Sequence, residues 1–84
     1  MEVYAMSNNE LVLDIMNTIE EIEEDGNTIV EDNYWLGFLF VKVGSDVYNF
    51  QGEEYDMLYK EYEDSWLSEH IIFEEYIMYV SQNW

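Results

Sequence analysis

The sequence predicts an α+β domain: an N-terminal helix, a three-stranded antiparallel meander, then one or two C-terminal helices whose last segment also reads as a strand. Three observations predict it. An apolar stripe at helical spacing fills residues 11–22, the period changes to β-branched and aromatic runs between short turns over residues 28–51, and a second helical stripe starts at Tyr55. With 84 residues, one domain is the expected count.

Ser7 followed by Glu10 forms a capping box, and Met6 and Leu11 take the N′ and N4 positions of a hydrophobic staple. Met6 is also an alternative start codon, immediately before this signal. Leu11, Val12, Ile15, Met16, Ile19 and Ile22 make one apolar face, with Glu10, Asp14, Asn17, Glu20, Glu21 and Glu24 on the opposite arc. Gly26 stops the run as a left-handed C′ residue, so the helix covers Asn8 to Asp25.

Residues 28–31 are a β-branched run, and Asp32-Asn33 is a turn signal. Residues 34–43 are apolar on both faces, with Trp35, Leu39, Val41 and Val43 against Leu36, Phe38 and Phe40, as in a central strand. Gly44-Ser45-Asp46 is a tight connection, and residues 47–51 return as the third strand.

Tyr55, Leu58, Tyr59, Tyr62 and Trp66 form the second helical stripe, and Asp64, Ser65 or Ser68 could cap a new helix. Ile71, Ile72, Phe73, Tyr76, Ile77, Met78, Tyr79 and Val80 are apolar nearly all round a helical wheel and would also serve a strand over 76–81. Helix is the preferred reading, and such a helix must be buried. A chain of this size buries only roughly 60–65% of its unfolded surface. A homodimer through Ile72, Tyr76 and Tyr79 is one way to cover the segment.

Twenty Asp and Glu against two Lys and Arg give a net charge of −18. That excludes ordinary nucleic-acid binding, which needs cations to displace counterions from phosphate, and disfavours anionic membranes. At 49% hydrophobic and 18% aromatic, the chain can still build a core, unlike a disordered acidic tail. The absence of Cys points to a reducing compartment. No signal-peptide pattern opens the chain, and no apolar run approaches the ~18 residues of a membrane span. The expected location is the cytoplasm, that of the host cell for a phage-encoded protein.

Carboxylates three and four residues apart on a helix stand about 5–6 Å from one another. That is close to the spacing of phosphates along a strand rising about 3.4 Å per nucleotide. Two sets have this spacing: Glu10, Asp14, Glu20, Glu21 and Glu24 on the first helix, and Glu53, Glu54, Asp56, Glu61, Glu63 and Asp64 on the second. Charge runs are usually solvated faces, but a soluble domain needs a net charge of only about 2–8 with mixed signs. So large an uncompensated charge costs stability by self-repulsion, which favours a binding role. Halophilic adaptation is a rival explanation, although it does not call for so many large aromatics and Ile.

Glu21, Glu23, Asp25, Gly26 and Asp32 fall at positions 1, 3, 5, 6 and 12 of an EF-hand register. Position 8 is Thr28, position 12 is Asp rather than Glu, and a strand comes next where a helix is required, so no metal or cofactor is expected. His70 is the lone His, and no phosphate loop, nucleophile elbow or zinc spacing occurs, so no catalysis is expected. The tyrosine stripe reads as core, with Tyr4 and Trp84 as the exposed aromatics.

Small size, extreme acidity, no Cys and helical carboxylate rows resemble the DNA-mimic inhibitors of phages and mobile elements. Those include anti-restriction, uracil-DNA glycosylase inhibitor and acidic anti-CRISPR proteins. The order helix, three strands, helices is similar to one type II anti-CRISPR family. The resemblance is one of class, with no shared motif and no residue carried over. It implies a basic DNA-binding protein of the host as partner: a nuclease, a repair enzyme or an HU-type nucleoid protein. An adaptor or antitoxin-like module using the apolar C-terminal segment is the alternative.

Overall fold

The helical stripe and its glycine stop produce α1 (Asn8–Asp25) with the expected bounds in a computed structural model that describes residues 8–84. The Ser7 capping box, the Met6–Leu11 staple, the Met6 start and the exposure of Tyr4 lie outside those residues. Ile15 and Ile19 are buried, Leu11, Val12 and Ile22 are half-buried, and Met16 at the edge of the stripe is exposed. Gly26 takes φ +73°, and its N–H donates to the Ile22 carbonyl at 3.4 Å. That is a left-handed C-terminal stop.

The meander comprises β1 (Thr28–Asn33), β2 (Phe38–Val43) and β3 (Asp46–Gln51), antiparallel and in the order β1-β2-β3. The first turn is displaced from the expected place. Asp32 and Asn33 end β1, because alternation puts Thr28, Val30 and Asp32 on the inner face. There Asp32 accepts a 2.6 Å hydrogen bond from the hydroxyl of buried Tyr55. Asn33 instead launches the turn over residues 34–37: its Oδ1 accepts the Leu36 N–H at 3.1 Å. Gly37, at φ +61°, donates to the Tyr34 carbonyl at 3.2 Å. Tyr34, Trp35 and Leu36, expected in the strand, therefore stand in an exposed turn. Asp46, expected in the second turn, is the first residue of β3.

Leu39 and Val41 of β2 are fully buried on the inner face, flanked there by Tyr48 and Phe50 of β3. The central strand is apolar on both sides, but α2 and α3 pack only on the inner side. On the outer side Phe38 and Phe40 are half-buried, with Ile29 and Val47 exposed around them.

A Gly52 hinge at φ +59° leads into α2 (Glu53–Asp64). Ser65 is extended and breaks the helix, and its hydroxyl accepts the Leu67 N–H at 3.1 Å to start a 3₁₀ turn over Trp66–Glu69. Trp66 thereby leaves the tyrosine stripe and is exposed beside His70, while Leu67 enters the core. The segment 71–82 contains α3 (Phe73–Val80), not a strand, succeeded by a 3₁₀ turn over Ser81–Asn83. Glu75 caps α3 by accepting the Ile72 N–H at 3.0 Å.

The all-round apolar character of α3 arises from its place. Phe73 and Ile77 pack with Leu39, Val41 and Tyr55 against the sheet. The opposite side borders a second cluster of Ile15, Ile19, Leu67 and Ile71, and Tyr76 packs on both. Fully burying a side chain such as Ile77 stabilises the fold by about 1.5–3 kcal/mol. The C-terminus closes the inner face: Gln82 Nε2 donates to Thr28 Oγ1 at 2.9 Å, and Trp84 meets Tyr48 and Phe50 edge-on with ring centroids 5.3 Å from each.

Candidate partner-binding surfaces

All eleven carboxylates singled out in the sequence are exposed. On α1 they form a row. At about 100° per residue, Glu10, Asp14, Glu21 and Glu24 fall within an arc of roughly 80°, opposite Ile15 and Ile19, with Glu20 about 40° beyond its edge. Neutral Asn17 stands between Asp14 and Glu21, so the carboxylates step by about 6 Å from Glu10 to Asp14, about 10.5 Å on to Glu21 and about 4.5 Å to Glu24, over about 21 Å.

On α2 the arrangement differs. The line most remote from buried Tyr55 runs Glu53, Met57, Lys60, Asp64, so an exposed Met and a cation interrupt it. Glu54 and Glu61 flank that line on one side, Asp56 and Glu63 on the other. α1 and α2 both pack against α3 rather than mainly on each other, so the two acidic sets belong to separate ridges.

The placement of these charges opposes helix stability on α1 and is balanced on α2. Glu20, Glu21, Glu23, Glu24 and Asp25 crowd the C-terminal end of α1, with no basic residue in its last turn, whereas on α2 Glu61, Glu63 and Asp64 at that end are matched by Glu53, Glu54 and Asp56 in the first turn. The macrodipole makes the C-terminal end negative, so each exposed carboxylate in a last turn costs about 0.3–1 kcal/mol at low salt, and each in the first turn of α2 stabilises by a similar amount. Like-charge pairs such as Glu20–Glu24 and Glu21–Asp25 add about 0.2–0.5 kcal/mol each. The acidic side chains at the end of α1 destabilise the helix that displays them.

The other predicted contact residues are dispersed. Ile72 is exposed at the N-cap of α3. Tyr76 and Tyr79 are half-buried within the chain's own clusters, and burial, then the charge of Glu61, raises the Tyr76 phenol above its ordinary pKa. Among the described residues no group of three or more His, Asp or Glu side chains converges as metal ligands, and no helix is long and apolar enough to cross a membrane.

Two features escape a reading of the sequence alone. One is the turn between β1 and β2, where Trp35 is 93% exposed. The spacing Asn33 to Gly37 signals a turn there, but the aromatic run hides it. The other is a cleft between that turn, α2 and the start of α3, lined by Tyr34, Tyr59, Tyr62, Ile72 and Phe73 together with the carboxylates of Asp32 and Glu74. Its rings are in mutual contact, with Tyr59 4.8 Å from Phe73 and 5.7 Å from Tyr34 between centroids. Burial is the main cause that raises the Tyr55, Tyr59 and Tyr62 phenols; Asp32 adds to it at Tyr55, Glu63 at Tyr59, and Glu75 with Glu63 at Tyr62. The phenols are neutral at physiological pH and stand near carboxylates.

No family model matches this chain, and neither a curated protein nor a solved structure matches it. The surface chemistry of the chain itself is therefore what bears on function.

Proposed function

We propose that this protein binds a basic DNA-binding protein through the carboxylates of α1 and α2 and competes with nucleic acid for it. One observation carries the proposal: exposed carboxylates crowd the C-terminal end of α1, where they oppose folding, and the chain has almost no cations to offset them. The α1 row, about 21 Å long with steps of about 6 and 4.5 Å at its two ends and neutral Asn17 in the gap between them, is the principal contact. Its partner is a cationic DNA groove, approached fast by electrostatic steering. For a phage-encoded chain, the effect is inhibition of a host nuclease, repair enzyme or nucleoid protein in the cytoplasm.

The test is capture from bacterial lysate on the immobilised protein at low salt, with subsequent elution by duplex DNA or NaCl. The retained proteins are expected to be basic and DNA-binding, released by either eluent. Retention of a protein that resists both eluents refutes electrostatic mimicry.

A second reading, an adaptor or antitoxin-like module, is favoured by the exposed Trp35 and Leu36. The apolar C-terminal segment expected to serve it is largely packed inside the chain. Under this reading, substituting Ser at both turn positions abolishes capture, and neutralising α1 leaves it intact.

A further inference from the structure

We propose that the tyrosine-lined cleft between the β1–β2 turn and α2 is a receptor for one arginine side chain of the partner. The inference rests on the proposed basic partner, and it adds a specific anchor to a diffuse attraction. The cleft has a volume of about 310 Å³, and a second recess of about 370 Å³ adjoins it across Tyr34 and Tyr59, bounded by Tyr55, Asp56 and Glu63. No Lys, Arg or His lines either one. Such volumes lie at the small end of ligand sites and suit a single side chain.

The lining selects a planar cation. Aromatic faces attract cations through the ring quadrupole, and a guanidinium, weakly hydrated and flat, stacks on them better than an ammonium. Its forked N–H donors match carboxylates, and half-buried Asp32 lines the cleft. Tyr55 engages only Oδ1 of Asp32, and a carboxylate offers about four acceptor positions, so capacity for a guanidinium is left. The same Tyr55 bond fixes the carboxylate in place before any ligand arrives. Tyr34 of the lining is 62% exposed, edge-on to Trp35 at 6.2 Å, so its ring is open to an incoming side chain.

The experiment is an NMR titration of the full chain with N-acetylarginine amide, against its neutral isostere N-acetylcitrulline amide and the lysine analogue, in high NaCl to suppress diffuse attraction. Saturable shifts are expected at Asp32, Tyr34, Tyr59 and Phe73 with arginine, weaker with lysine and absent with citrulline. Tyr34→Ala, at an exposed turn position, is expected to weaken binding about fivefold, and Tyr34→Phe to restore it, since the ring face and not the hydroxyl binds. Equal binding of citrulline, shifts confined to the α1 carboxylates, or indifference to Tyr34→Ala overturns the proposal. The two proposals fail separately. If arginine occupies the cleft but captured proteins do not bind DNA, the partner is misassigned; if a DNA-displaceable partner ignores Tyr34→Ala, the cleft is.

Discussion

Neutralising the α1 row is expected to weaken partner binding while making the protein more stable. The variant carries Asp14→Asn, Glu20→Gln, Glu21→Gln and Glu24→Gln, all at exposed positions and none in the core. Folding gains because the like-charge pairs Glu20–Glu23, Glu20–Glu24, Glu21–Glu24 and Glu21–Asp25 disappear, worth together about 1–2 kcal/mol. Relief at the negative end of the macrodipole adds to this. For a domain of this size, 1 kcal/mol moves the midpoint by about 4–8 °C, so Tm is expected to rise by about 4–16 °C. Binding loses because each exposed ion pair contributes about 0.2–1 kcal/mol. Four of them weaken the complex from about fourfold to several hundredfold. Differential scanning calorimetry reads the first effect, and titration calorimetry with the captured partner at low salt reads the second. Opposite signs exclude unfolding as the cause of lost binding. A raised Tm with affinity unchanged within about twofold refutes the α1 assignment, and a lowered Tm refutes the claim that these charges oppose folding.

Three further outcomes are expected. Raising NaCl from about 10 mM to 1 M shortens the Debye length from about 30 to 3 Å and so should raise Tm by several degrees; a fall would mean that net repulsion does not act on this fold. The raised phenols of Tyr55, Tyr59, Tyr62 and Tyr76 give stability that is intact below the unfolded value near 10 and lost as pH climbs beyond it, at about 1.4 kcal/mol per pH unit for each phenol still protonated in the fold. The phenolate absorbance of these four of the eight tyrosines should therefore appear together with the loss of circular dichroism above pH 10; ionisation of all eight without unfolding would contradict this. Ile77→Ala, at a fully buried position, should cost about 2–5 kcal/mol in urea denaturation, whereas Ile72→Ser, at a position 60% exposed, should cost under about 1 kcal/mol. Sedimentation of the Ile72→Ser variant then tests the expected homodimer without confounding by unfolding: loss of a dimer places α3 at its interface, and an unchanged mass removes Ile72 from it.

Much of the fold was legible because period and punctuation agree. The α1 stripe and Gly26 fix both helix face and helix end, and the change to β-branched runs fixes the meander. The displaced first turn was not legible, because what holds Asp32 in β1 is a hydrogen bond from Tyr55, 23 positions away. Tyr34, Trp35 and Leu36 have strand propensities, yet Asn33 and the positive φ of Gly37 place them in a turn. Likewise Ser65 diverts Trp66 from a stripe it matches by spacing. The exposed carboxylates could be read from helical period alone. The cleft could not, since it joins Asp32, Tyr59 and Glu74 from β1, α2 and α3.

The central claim is that the carboxylate array and nucleic acid occupy the same cationic surface. Fluorescence anisotropy of a labelled duplex bound to the captured partner tests it directly, with this protein added stepwise. Release of the duplex is predicted, with the apparent Kd for DNA rising in proportion to the protein added and no species containing all three components. A stable ternary complex, or a DNA affinity that does not change at saturating protein, would contradict the account.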